Sequence, residues 1–220
     1  MKDVFKDLEA TEWRTRLKFL SDFVIGTAMT IMILSLELPE MGNITNTGEL
    51  TKFLLRQLSS MGGFFIAFVT VAIYWMKHLE HFGMIKRVNQ TFMWFQLLFM
   101  AMIMLVPFWN AYVTNFPDNI AIKVFFSLNL VLIGLFSFLS FNYATSPKNS
   151  LVIEGLPEEL ILLTKRQILT EPAIAIIAAG LVFVHPTLWD ITFVLIPVMF
   201  ALRKKFVQVR SGKSKKAAKN

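Results

Sequence analysis

Residues 58–76 pass without one charged side chain. A bilayer core calls for such a run, because a helix needs about 20 apolar residues to cross roughly 30 Å of hydrocarbon. Inside that core each backbone N–H and C=O has to be paired within the protein, and a helix does so within its own segment. Five further runs meet or approach the required length, at residues 17–38, 88–109, 121–144, 167–184 and 188–202. The chain therefore reads as an all-α membrane protein with six transmembrane helices per subunit. Its composition agrees, with 55% hydrophobic residues and a mean hydropathy of +0.57 over 220 residues. The expected organisation is a six-helix transmembrane domain over 1–205 and a basic cytoplasmic tail over 206–220. The tail is expected to be disordered and to touch anionic lipid.

Charge placement orients the spans. All of the 22 Lys and Arg residues except Lys52, Arg56 and Lys123 fall in four places. These are the N-terminal arm through Lys18, the loop after the second span, the approach to the fifth, and the segment from Arg203. Glu37, Glu40, Glu49, Asp118 and Asp190 lie on the opposite side. Positive charge stays inside, so both termini are expected to be cytoplasmic, in a multi-pass membrane protein. The net charge of +7 sits in tails and alternate loops, so nucleic acid is not an expected partner. The chain has no Cys, which excludes disulfides and thiolate chemistry.

Candidate chemistry concentrates at the first span. Asp22 sits at its mouth, and an ionisable group there costs roughly 2.5–3.5 kcal/mol on insertion scales, so a partner is expected. At about 100° per residue, Phe23, Thr27, Thr30 and Leu34 share one face as a stripe about three turns long. The stripe fits either helix packing, with Thr bonded to its own preceding turn, or the polar lining of a narrow pore. Arg16 and Asp22 lie on different faces and are expected to meet partners on adjacent helices. Glu37 follows Leu34 by about one turn, either as a solvated rim charge or as part of an outer mouth that concentrates cations. At the end of the second span, His78, Glu80 and His81 lack a third ligand cluster, so no metal is expected there. No backbone-carbonyl potassium filter, complete P-loop or hydrolase motif is present.

The pattern Arg16-x-x-x-Leu20-Ser21-Asp22 resembles the first-helix signature R-x-x-x-F-S-D of the transmembrane protein 175 family. Trp75-x-x-His78-x-x-x-Phe82, Arg87-Val-Asn89, Trp94 and Pro107-Phe108 resemble the family's second and third helices, so the likeness covers about residues 14 to 108. The resemblance implies a homotetramer in which the first helix of each subunit lines a central pore for potassium, with no cofactor. It implies that Thr30 belongs to a threonine layer contributing to selectivity, and that Thr27 stands at an apolar constriction with Leu34 as a further apolar ring. It implies that Arg16, Ser21, Asp22, Trp75 and His78 brace the pore helix. Two residues depart from the pattern: Leu20 replaces Phe, and Thr27 stands where relatives carry Ile or Leu. A threonine ring is wetter than an apolar one, so a leakier pore, or a gate at Leu34 or Phe23, is expected.

The function expected on these grounds is a moderately potassium-selective channel working passively, and not an enzyme. The competing reading is a proton-coupled secondary transporter using Asp22, Glu171 or Asp190. It would need internal repeats or broken helices near the midplane. An intramembrane enzyme using His78 or His185 lacks an accompanying nucleophile.

Overall fold

The computed structural model describes residues 2–36 and 46–195. Glu37, the end of the sixth expected span and the basic tail 206–220 lie outside the described residues. Helix α1 spans Lys2–Ile31 and tightens into a 3-10 turn over Met32–Ser35. Helices α2 (Thr47–Gly83), α3 (Gln90–Asn115) and α4 (Ile120–Ala144) follow, then α5 (Glu158–Ile168), α6 (Thr170–Leu181) and α7 over 186–195. Asn46, Asn89 and Asn119 start α2, α3 and α4, each side chain accepting a hydrogen bond from a backbone N–H of the first turn. That satisfies one of the donors a helix start leaves open.

Helix α3 sits centrally, packing on α1, α2 and α4, and α4 carries α6 on its other side. The core between them includes Phe99, Ile103 and Val106 of α3 with Leu130 and Ile133 of α4, all essentially inaccessible. Pro107 lies inside α3 without ending it, as membrane helices tolerate. Where α4 meets α6 the backbones approach closely. A methyl group built on Gly134 would stand 2.6 Å from Cγ of Pro172.

Four segments among the described residues are long and apolar enough to cross a membrane: Ala10–Ser35, Met61–Gly83, Gln90–Asn115 and Ile120–Ala144. The first, second, third and fourth expected spans thus each fall on a helix, the second (58–76) lying inside the longer α2, whose apolar segment runs on to Gly83. The fifth differs. The chain turns at Leu169, so residues 167–184 contain the end of α5 and the short α6. The cause is Pro172, whose ring collides with the carbonyl four residues back, at Ile168, where α5 ends. Within α6 the same proline occupies the first turn, where its missing N–H costs nothing.

On the basic side a small polar junction ties loops to helices. Ile85 and Val152 form an isolated antiparallel bridge. Lys86 pairs with Glu154 beside it, at 2.6 Å.

Candidate pore-lining helix and its braces

Helix α1 has two opposite faces. Leu17, Ser21, Ile25, Ala28, Met32 and Ser35 are buried against the rest of the subunit. Their spacing of three and four residues is that of one helix face. The expected stripe lies on the other side. Phe23 is 71% exposed and Leu34 78%, while Ile25 and Met32 are fully buried. Thr30 is exposed and Thr27 half-buried on the same side. Leu34 falls in the 3-10 turn, so the stripe ends in tighter winding than the α-helical spacing anticipates. The Thr30 hydroxyl donates to the Gly26 carbonyl at 2.9 Å. That bond uses its proton and leaves oxygen lone pairs facing outward from the subunit.

The residues expected to act as braces, Arg16 apart, lie toward the packed side. Trp75 of α2 donates its indole N–H to Asp22 at 3.0 Å, the partner that the carboxylate's cost requires. Ser21 is fully buried and donates to the Leu17 carbonyl at 2.8 Å. His78 is buried and stacks on Phe99, with ring centroids 5.1 Å apart, while its Nε2 has no hydrogen-bond partner in the structure. Asp22, Ser21, Trp75 and His78 therefore gather around the α1–α2–α3 contact. Arg16 does not join them. It reaches back one turn to Glu12, at 2.6 Å, and both side chains are well exposed. The expectation of a partner for Arg16 on an adjacent helix is not met within the subunit. The reason is its facing: Arg16 is seven residues before Phe23, two helical turns, and so shares the bare face.

Other anchors of α1 were not anticipated. Arg14 donates to the Ile85 carbonyl at 2.6 Å and stands over the Phe82 ring at 5.7 Å. At the far end, buried Asn110 of α3 donates to Ser35 at 3.2 Å. An asparagine within an apolar run is the available signal for the second, since a polar group in the bilayer seeks a partner. Arg14 gives no such signal, because an arginine near a basic helix end looks solvated.

Two lysines that sequence reading left unpartnered are in ion pairs. Lys77 at the end of α2 contacts Glu171 of α6, both side chains largely buried. Lys123 of α4 is 1% exposed and pairs with Asp190 at 2.8 Å. It also donates to the Pro186 carbonyl at 2.9 Å and sits over Trp189. Among the described residues no group of three His, Asp or Glu side chains could hold a metal ion.

These features define a class: a helical bundle with long apolar helices, whose first helix is held on one face and bare on the other. A family model described as the endosomal/lysosomal potassium channel TMEM175 matches residues 16–107, from Arg16 to Pro107. A potassium channel of Chamaesiphon minutus is 26% identical over 195 residues, 86% of this chain and 93% of that protein. A potassium channel of a Chryseobacterium strain is 31% identical over 106 residues, 47% of this chain and 52% of that one. The crystal structure of a TMEM175 homologue from Chamaesiphon minutus superimposes with a TM-score of 0.75 at 20% identity. It covers 87% of this chain and 98% of that one, so the fold is shared nearly end to end. Over its first half the chain is similar to the TMEM175 family, and it is a multi-pass membrane protein.

Proposed function

We propose that the protein is a potassium channel that conducts passively through a central pore lined by α1 of four identical subunits. The observation that carries this is the division of α1. A helix held by Leu17, Ser21, Ile25, Ala28 and Met32 presents Phe23, Thr27, Thr30 and Leu34 to something outside its own subunit. Four Thr30 hydroxyls around an axis would offer lone pairs that partly replace a hydration shell. Hydroxyls hold an ion less strongly than a cage of carbonyls, so selectivity is moderate. Thr27, where an apolar ring would dewet the pore, makes a wetter passage, and closure falls to Leu34 or Phe23. Asp22, Ser21, Trp75 and His78 hold the helix so that the stripe keeps its aim. Glu37 forms the outer mouth.

The subunit carries six spans, the last two being α6 and the helix that begins at 186, with both termini on the cytoplasmic side of a bacterial inner membrane. Permeant cations and lipid are its partners, and it has no cofactor. The family is one of ion channels, so an enzymatic role is not supported. The transporter reading is disfavoured by the ion pairs: Glu171 is tied to Lys77 and Asp190 to Lys123.

The test is potassium flux through the purified protein in liposomes with sodium as competitor. Wild type is expected to pass potassium downhill with no proton gradient, and Thr30→Ala to lose discrimination between the ions. Flux that needs a proton gradient, or an unchanged Thr30→Ala, would overturn the reading.

A further inference from the structure

The bare face of α1 does not stop at Phe23. The helix is continuous over Lys2–Ile31. At about 100° per residue, Glu12 and Arg16 fall within roughly 60° of the line through Phe23, Thr27 and Thr30. Both are exposed, with 60% and 77% of their side-chain surfaces accessible, and they pair with each other at 2.6 Å across one turn. Neighbouring charges take other roles. Arg14 is turned onto the Ile85 carbonyl and the Phe82 ring, and Asp22 onto Trp75. Among the side chains the structure describes, Glu12 and Arg16 are a charged pair that α1 aims along the direction of its stripe.

We infer that Glu12 and Arg16 form a charge-balanced ring at the cytoplasmic mouth of the pore and set how readily cations enter from that side. The inference rests on the pore reading above. Each copy contributes one guanidinium about 10 Å, two turns, below Phe23 and one carboxylate about 16 Å, three turns, below it. Paired, they leave the mouth nearly neutral. Unpaired, either would produce a ring of one sign, and a ring of charge changes the local cation concentration several-fold in a salt-dependent way. Arg16 acts here as a positioning and balancing residue, bonded to Glu12 through both Nε and a terminal nitrogen. Both nitrogens donate to the same Glu12 Oε1, a forked contact that a lysine with its single nitrogen cannot make.

The experiment uses inside-out patches containing the full-length channel, with the ionic strength of the cytoplasmic bath varied. At about 0.1 M salt the Debye length is about 10 Å, and at 1 M about 3 Å. Arg16→Gln is expected to raise outward potassium current relative to inward by about twofold at low salt, and Glu12→Gln to lower it by a similar factor. Both effects should fade at high salt. The exchange Glu12→Arg with Arg16→Glu should restore the wild-type ratio, which separates charge from any loss of folding. Unchanged ratios in both single variants, or shifts that persist at high salt, would overturn the inference. Thr30→Ala in the same patches keeps the two readings apart. If it alters ion discrimination while the mouth variants do nothing, the mouth inference alone fails. If all the variants behave as wild type, the pore reading fails with it.

Discussion

Asp22 shows how a single residue constrains a helix. A carboxylate at the edge of an apolar span needs a partner, and the indole N–H of Trp75 supplies it. Both residues stand in the motif, so the expectation of a brace was legible from residue type and position. The partner of Arg16 was not, because its facing depends on where the rest of the subunit lies against α1. Thr27 stands where the sequence resemblance places an apolar constriction. Replacing it with Leu should lower basal potassium flux in liposomes, and an unchanged flux would count against its facing the pore. Gly134 is a constraint of a different kind. Its Cβ position is occupied by the Pro172 ring, a rigid neighbour that cannot swing away. Gly134→Ala should destabilise the α4–α6 contact by about 1–3 kcal/mol, read as a lower melting temperature in detergent. A melting temperature equal to wild type would mean that α6 can slide.

At the scale of elements, ion pairs join the later helices to the bundle, and each predicts an asymmetry. Lys123 is almost wholly buried while Asp190 keeps 47% of its side chain exposed. Removing the carboxylate strands a buried ammonium, whereas removing the lysine leaves an aspartate that water can reach. Asp190→Asn should therefore cost more stability than Lys123→Met. Its loss should approach the roughly 3–5 kcal/mol of breaking a buried pair. Equal losses in thermal melts would contradict the burial of Lys123. The lysine's position inside an apolar run hinted at a partner, but its identity lay 67 residues away, beyond local pattern. The break at Leu169 was also not anticipated. Ile168 and Leu169 sit between Lys165-Arg166-Gln167 and Thr170-Glu171, and the reach of the Pro172 ring to the carbonyl four residues back divides α5 from α6. On the loop side, the Lys86 ammonium holds the Glu154 carboxyl below its ordinary range. A depressed carboxyl contributes stability above its unfolded pKa and loses it as pH falls through the folded one. The Lys86–Glu154 contact beside the Ile85–Val152 bridge is thus intact at neutral pH and weakens only in acid.

For the whole molecule, the long apolar helices were legible because a bilayer imposes length and composition together, and four of the expected spans fall on α1 to α4. What the sequence did not carry was which side of α1 the subunit would leave bare. That follows from α3 and α2 occupying the opposite face, with Asn110, Trp75 and the Ile85 carbonyl as its anchors. The central claim is that this bare side faces an ion path. The chain has no native cysteine, so single cysteines can be placed along α1 without background, and block of potassium current by a water-soluble thiol reagent can be read for each. Block is expected at Phe23→Cys, Thr27→Cys, Thr30→Cys and Leu34→Cys, and none at Ile25→Cys or Ala28→Cys. Block scattered evenly around the helix, or confined to the buried side, would contradict it.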